Sequence, residues 1–413
     1  MKKILPVAII AGAGVSAFAK PGDGIRFANG SMTLRPAVSI NASYDSNINS
    51  SRAARRDDVI YSITPRMTYN WRRPDRAFDL NASVYYTYSH YSRHDRDNQH
   101  SYGQNLSLTK SFTDNWGHKW SLRMSESWRK INANDSITHD EEGIWRDRSS
   151  FNYAFALTQR LNRFHWGLHA SYSFISYNND PFKYEKLFGW DSWAAGGELG
   201  WAIGSRTDWI LTGSYSSYTH KNEKYSDELS RSYSKKSSTW TVHTGFGSFV
   251  PDTEKINYRA TVGASRHEYG RTRSQTSWTY QLSLNWRFAR KWSLSMRGMS
   301  YYQPSEFAYG QASKTYTLGT GLTYSMTDRL AWTADLLYRK SRSSYSDSNL
   351  NTYDYNYLTA RIGANYALAR WAHIHAAVSY ITRMSSSGPT YTSGGSRGDY
   401  DRFRVTTGLT FTY

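Results

Sequence analysis

The sequence predicts an all-β protein, a transmembrane antiparallel up-and-down β-barrel of about eighteen strands with short periplasmic turns and longer extracellular loops. Three observations carry that prediction. The chain ends in DRFRVTTGLTFTY, where Phe403, Val405, Thr407, Leu409, Phe411 and Tyr413 alternate with Arg402, Arg404, Thr406, Gly408, Thr410 and Thr412. A period of two places these sets on opposite faces of one strand, so the end of the chain is structured rather than frayed. The composition is 16% aromatic, with 34 Tyr and 16 Trp, yet mean hydropathy is −0.70. A disordered chain is poor in aromatics, whereas a membrane barrel stays hydrophilic overall because only one face of each strand meets lipid. Finally, short and long connections alternate along the chain.

The N-terminus reads as an export signal. Lys2 and Lys3 precede an apolar run from Ile4 to Val15, and Ala17-Phe18-Ala19 fits a small-x-small cleavage site. The run is shorter than the ~20 residues that span a bilayer, and no later run approaches that length. The expected organisation is a signal peptide at 1–19, a short periplasmic segment at 20–31 and one barrel domain at 32–413. No cysteine is present to staple the exported fold.

From there the strands follow in order. LRPAVSINASYD puts Leu34, Pro36, Val38, Ile40, Ala42 and Tyr44 on one face, and FDLNASVYYTY does the same with Phe78, Leu80, Ala82, Val84, Tyr86 and Tyr88. SWTYQLSLNWRF sets Trp278, Tyr280, Leu282, Leu284, Trp286 and Phe288 against Ser277, Thr279, Gln281, Ser283, Asn285 and Arg287. Tight turns fall at RRPD, GSRT, PDTE and TDR, and long polar stretches such as ANDSITHDEEGIWRD, KNEKYSDELSRSYSKK, SRSSYSDSNLNTYDY and SSSGPTYTSGGSRGD lie between them. The expected strand centres are residues 40, 65, 84, 106, 125, 154, 170, 198, 213, 242, 261, 282, 297, 320, 335, 362, 377 and 407. A sixteen-strand barrel would follow if one hairpin stood clear of the membrane.

Tryptophan gives an independent check. Trp71, Trp120, Trp166, Trp201, Trp209, Trp286, Trp292 and Trp332 all fall beside short turns with outward parity. Indole prefers the membrane–water boundary, so they form an aromatic girdle at the periplasmic edge; Trp371, with inward parity, is an exception. A soluble β-sandwich has no reason to sort Trp to one end of its strands. The last strand is expected to close the barrel against the first, leaving no edge. Its terminal aromatic, Tyr413, resembles the C-terminal signature by which the outer-membrane assembly machinery recognises its clients.

LRPAVSINASYDSNINSSRAARRDDVIYSITPRMTYNW, residues 34 to 71, resembles the β-barrel porin family of bacterial outer membranes often found beside exopolysaccharide genes. The resemblance rests on Tyr44, Asp45, Ser46 and Asn47 in an early strand and on Ile60 to Pro65 in the next. It implies a porin-like channel with a polysaccharide role and supplies no catalytic residues.

Inward parity collects Arg35, Arg66, Arg123, Arg129, Arg160, Arg259, Arg287, Arg297, Arg339, Arg361, Arg383, Arg402 and Arg404, against Asp45, Asp79, Glu198, Asp208 and Asp335. The pore-lining group expected to act is Arg66, Arg123, Arg259, Arg287, Arg297, Arg361, Arg402 and Arg404. The formal charge is +18, and +16 once Lys2 and Lys3 leave with the signal. Fixed positive charge in a narrow, low-dielectric passage concentrates anions, although individual arginines also serve in pairs with loop acids or lipid phosphates. Tyr85 and Tyr301 also face inward, where rings stack on sugars, but Tyr is frequent enough for chance placement.

Enzyme and metal signals are poor. Ser and Tyr are so abundant that any His has hydroxyl neighbours by accident. His165 and His169 would stand ~13 Å apart and His373 and His375 ~6.7 Å apart, with no third ligand evident. Asp140, Glu141 and Glu142 read as a solvated acidic loop before a calcium site, and Gly319 and Gly321 lie inside a strand rather than at a phosphate-binding turn. No cofactor is expected. Basic charge with interleaved aromatics also suits nucleic acid, but export argues against it. The expected partners are outer-membrane lipid and lipopolysaccharide, the assembly machinery and anionic saccharides. The expected function is an outer-membrane channel for anionic or sugar-like solutes; the alternatives are an adhesin or assembly barrel acting through its loops and, more distantly, an outer-membrane hydrolase.

Overall fold

The computed structural model describes residues 23–48, 50, 55–73, 77–133, 138–140, 143–145, 148–177, 189–221, 236–248, 255–269, 273–304, 312–344, 354–387 and 399–413. Eighteen long strands build the wall. The first six are β1 (Met32–Asp45), β2 (Asp58–Arg72), β3 (Phe78–Tyr91), β4 (Gln99–Thr113), β5 (Lys119–Ala133) and β6 (Arg148–Leu161). Next come β7 (Phe164–Tyr177), β8 (Gly189–Ala202), β9 (Thr207–Lys221), β10 (Lys236–Ser248), β11 (Ile256–Tyr269) and β12 (Arg273–Ala289). The last six are β13 (Trp292–Pro304), β14 (Ala312–Ser325), β15 (Leu330–Ser344), β16 (Asp354–Ala369), β17 (Ala372–Ser387) and β18 (Tyr400–Thr412). Each pairs antiparallel with the next, and β18 returns to β1 from Asp45 opposite Arg404 to Ala37 opposite Thr412. The sheet is therefore a closed eighteen-strand barrel, and every expected strand centre lies inside one strand. Closure leaves no open edge along this seam, which a membrane-spanning sheet requires.

The two faces sort as the alternation dictates. Outward positions hold large exposed apolar groups such as Ile40, Val84, Leu168, Val262 and Ile362, the last 61% exposed. In water such a surface would be an association hazard; in a bilayer it is the lipid contact. Pro65, which has no N–H to donate, costs the β2–β3 ladder a rung: pairing passes from Ile63 opposite Tyr88 to Arg66 opposite Tyr85. The hydroxyls of Thr64 and Thr87 bridge the gap at 2.9 Å.

At the short-turn end the connections are minimal. Asn162, in the left-handed region at φ 47°, turns β6 into β7 between Leu161 and Phe164, a conformation asparagine tolerates better than most residues. Asp114 organises the β4–β5 turn: its Oδ1 accepts from the amides of Trp116 and His118, and its Oδ2 from Trp120 Nε1. Aromatic rings cluster at this end, with Trp120 edge-on to Trp166 at 5.7 Å, Trp71 near Phe78 at 4.8 Å, Phe164 near Trp201 at 6.4 Å and Trp292 on Tyr324 at 4.3 Å. Trp209, Trp286 and Trp332 are exposed at the same end.

Two features change the aromatic picture. Trp371 is no inward exception: it sits in the turn between Ala369 and Ala372, where strand parity does not apply, and stacks on the outward Phe411 at 6.1 Å. A second, partial belt lies towards the long-loop end, where Trp193, Tyr215 and Trp240 pack in sequence and Trp278 is 75% exposed. Trp193 and Trp201 on one strand, like Trp278 and Trp286 on another, are separated by ~20 Å along the membrane normal, given ~3.3 Å per residue and a ~40° tilt.

The segment expected at 20–31 contributes a three-residue strand, Ile25–Phe27, that pairs with Met32–Leu34. The expected signal at 1–19 and most of the long loops, Glu141 and Glu142 among them, lie outside the described residues.

Candidate functional site

The lumen is the candidate site, and three regions of it differ in charge. Where β1, β2 and β18 meet, Arg35, Ala37, Ser39, Asn41, Thr64, Arg66, Thr68, Thr410 and Thr412 line a concavity of about 450 Å³. The register explains the shape. Arg35 stands opposite Thr68 and Arg66 opposite Ala37, so the two arginines are diagonal neighbours over a small side chain. Ser39 Oγ lies 2.9 Å from Thr410 Oγ1, and Asn41 Nδ2 donates to Ser62 Oγ at 3.4 Å. The Arg66 guanidinium lies 5.7 Å from the Tyr85 ring centroid, so that inward tyrosine supports an arginine rather than presenting a bare face.

Nearer the short-turn end of β7–β11 the charges are paired. Arg259 donates to Glu198 at 2.7 Å, His165 Nε2 lies 3.4 Å from the same carboxylate, and His165 Nδ1 lies 3.3 Å from Asp208. Glycine makes this possible. His165 stands opposite Gly200 and His169 opposite Gly196, and a Cβ at either glycine would run into the imidazole laid across it.

At the long-loop end, Asp45 is fully buried and holds both arginines of the last strand. Arg402 Nε lies 2.9 Å from each carboxylate oxygen, Arg404 NH2 lies 2.9 Å from Oδ2, and the Asn47 amide donates to Oδ1 at 3.1 Å. Arg402 and Arg404, expected among the pore-lining group, form a clamp that ties β18 to β1. Bidentate guanidinium–carboxylate geometry suits this burial. Beside it, Arg383 lies over Tyr355 at 4.9 Å and Tyr357 at 5.6 Å.

The expected pore-lining set therefore divides. Arg259 pairs with Glu198, and Arg402 and Arg404 share the one carboxylate of Asp45. Among the described residues no carboxylate lies within ion-pair distance of Arg66, Arg123, Arg287, Arg297 or Arg361, nor of Arg35. No group of three His, Cys, Asp or Glu side chains placed to hold a metal ion occurs among the described residues. Sequence reasoning missed the hydroxyl wall around Arg35 and Arg66, because its members come from both ends of the chain. It also missed Trp116, 82% exposed in the β4–β5 turn, because parity is silent in turns.

A closed antiparallel barrel with an apolar belt outside defines a bacterial outer-membrane protein of the porin or transport type. A family model described as "Putative beta-barrel porin 2" matches residues 20–188, a span that includes the stretch at 34–71. A second, described as "Putative MetA-pathway of phenol degradation", matches residues 230–355. No curated protein matches the chain. Among solved structures, the siderophore receptor PirA from Acinetobacter baumannii is similar over 92% of this chain and 80% of its own, at 8% identity and a TM-score of 0.44. The FrpB iron transporter from Neisseria meningitidis gives 9% identity, coverage of 92% and 81%, and a TM-score of 0.44. The copper transporter OprC gives 12% identity, coverage of 95% and 81%, and a TM-score of 0.46.

Proposed function

We propose that this barrel is a porin-like channel whose basic lumen passes anionic and sugar-like solutes, acidic oligosaccharides among them. The observation that carries the reading is the set of guanidiniums that meet no carboxylate among the described residues, Arg35 and Arg66 above all, on a wall of serine, threonine and asparagine. Paired guanidiniums seat a carboxylate, and a row of hydroxyls replaces the hydration of a sugar. No residue is assigned a catalytic or metal-binding role. Lipopolysaccharide around the outer belt, the assembly machinery at the C-terminal strand and an exopolysaccharide context belong to the same reading.

The test is reversal potential and saccharide block in planar bilayers. The wild type should prefer anions, and the preference should shrink as salt rises, since screening at ~0.15 M limits a charge to about 8 Å. Replacing Arg35, Arg66, Arg297 and Arg361 together by Gln should remove the preference and weaken block by an acidic oligosaccharide while the barrel still folds. Arg259 is left intact because it is paired with Glu198. Cation selectivity in the wild type would overturn the proposal. Negligible conductance would favour an adhesin or assembly barrel working through its loops.

A further inference from the structure

Between β12 and β13 the wall overlaps itself. The ladder runs from Ala289 opposite Trp292 up to Gln281 opposite Met299 and stops there, although β12 continues to Arg273 and β13 to Pro304. Every other neighbouring pair keeps its ladder to within a few residues of the long-loop end. Above the break, faces that should never meet are in contact. On β13 and β14, Tyr302 stands opposite Lys314, Ser300 opposite Tyr316 and Gly298 opposite Leu318, so these residues share the outward parity of Leu318. On β11 and β12, Ser265 stands opposite Ser277 and Arg259 opposite Ser283, which is the inward parity. Yet Tyr302 donates its hydroxyl to Ser277 Oγ at 3.1 Å, and its ring stacks on His267 at 4.7 Å. Lys314 Nζ donates to Ser265 Oγ at 3.3 Å and lies 4.4 Å from the Tyr302 ring centroid. The tops of β13 and β14, residues 300–304 and 312–316, are tucked inside β11 and β12, outer face against inner face.

We propose that this tucked edge is a shutter with two seats: inside the mouth, as here, and in the wall, where the β12–β13 ladder continues upward. The wall seat suits the same side chains. Continuing the register beyond Gln281–Met299 brings Trp278 opposite Tyr302 on the outer face. Tyr302, Tyr316 and Lys314 then join Trp240 and Trp278 in the upper aromatic belt, with the ammonium among lipid headgroups. In the tucked seat Lys314 is 5% exposed, and among the described residues it meets a hydroxyl and two tyrosine rings but no carboxylate. Burying an unpaired ammonium is unfavourable, so the tucked seat is poised rather than locked. The broken ladder is partly satisfied in place, since the Tyr280 amide donates to Ser300 Oγ at 3.1 Å, so little must be undone for the edge to move. Moving it into the wall widens the mouth by withdrawing two strand ends from the lumen.

The chain has no cysteine, so introduced pairs report cleanly. Ser277→Cys/Tyr302→Cys lie together in the tucked seat. Trp278→Cys/Tyr302→Cys lie on opposite faces of the wall here and adjoin only in the wall seat. Both pairs carry the same change at Tyr302, which matches any bias it introduces. With a short bis-maleimide on protein folded in vesicles, both pairs should cross-link, and channels linked through Trp278→Cys should conduct at least twofold more than those linked through Ser277→Cys. Adding Lys314→Met, which removes the buried charge, should lower the yield of the Trp278→Cys link at least threefold. Heat-modifiable gel mobility reports folding of each variant. The proposal is overturned if the Trp278→Cys pair fails to link while Asn285→Cys/Ser295→Cys, opposite each other lower in the ladder, links. It is equally overturned if the two linked forms conduct alike, or if Lys314→Met leaves the yields unchanged.

Discussion

Replacing Asp45 by Ala should unfasten the closure of the barrel. Its carboxylate has no solvent contact and receives Arg402 through Nε and NH2, Arg404 through Nε and NH2, and the Asn47 amide. Its removal takes from Arg402, 5% exposed, the carboxylate that both Nε and NH2 engage. Breaking one side of a buried pair costs about 3–5 kcal/mol, because the stranded charge keeps its desolvation penalty. Arg404 is 30% exposed and can rehydrate, so its share is screened and the total sits toward the lower end. That corresponds to roughly a hundredfold or greater shift in the folding equilibrium at 1.4 kcal/mol per decade. Urea unfolding in phospholipid vesicles, followed by tryptophan fluorescence and heat-modifiable mobility, measures it. The double variant Asp45→Ala/Arg402→Ala should recover more than half of the loss. Single-variant stability within 1 kcal/mol of wild type, or strict additivity in the cycle, would refute the clamp.

Two further outcomes are expected. Leu284→Arg places a charge on the lipid face between Tyr258 and Met296 and should cost ~2–4 kcal/mol if it sits near the midplane, in the same unfolding assay; tolerance there with intolerance at Asn285 would mean that the faces are reversed. The β4–β5 turn should be acid-sensitive. Desolvation pulls the Asp114 carboxyl up, but the hydrogen bonds from Trp120, His118 and Trp116 outweigh it and hold it at about 2, below its ordinary 3.8. A lowered folded pKa makes its contribution complete above about 4 and lost as pH falls through about 2. The fluorescence of Trp116 and Trp120 should follow that transition, and Asp114→Asn should abolish it.

Strand number, faces and the Trp band were legible in the sequence because they rest on a local rule: successive side chains point to opposite sides of a strand, and each strand needs only its own residues to declare its lipid face. The strand face of each arginine was legible for the same reason, since parity assigns each residue independently. Which arginines meet a carboxylate was not. Asp45 and Arg402 are 357 positions apart, and Glu198 and Arg259 are 61 apart; their meeting depends on closure, register and the length of the side chains that bridge neighbouring strands.

The tucked edge marks the limit most clearly. Tyr302, Lys314 and Tyr316 keep outward parity in their own ladder, but parity cannot say that two strand ends leave the wall and lay their outer face on the inner face of β11 and β12. By itself the sequence determined a closed, aromatic-belted barrel, because alternation and turn spacing act over a few residues. Only the tertiary structure decided which charges are neutralised, where the wall is concave and where it overlaps. Those depend on contacts between strands that the chain brings together only once the sheet has closed.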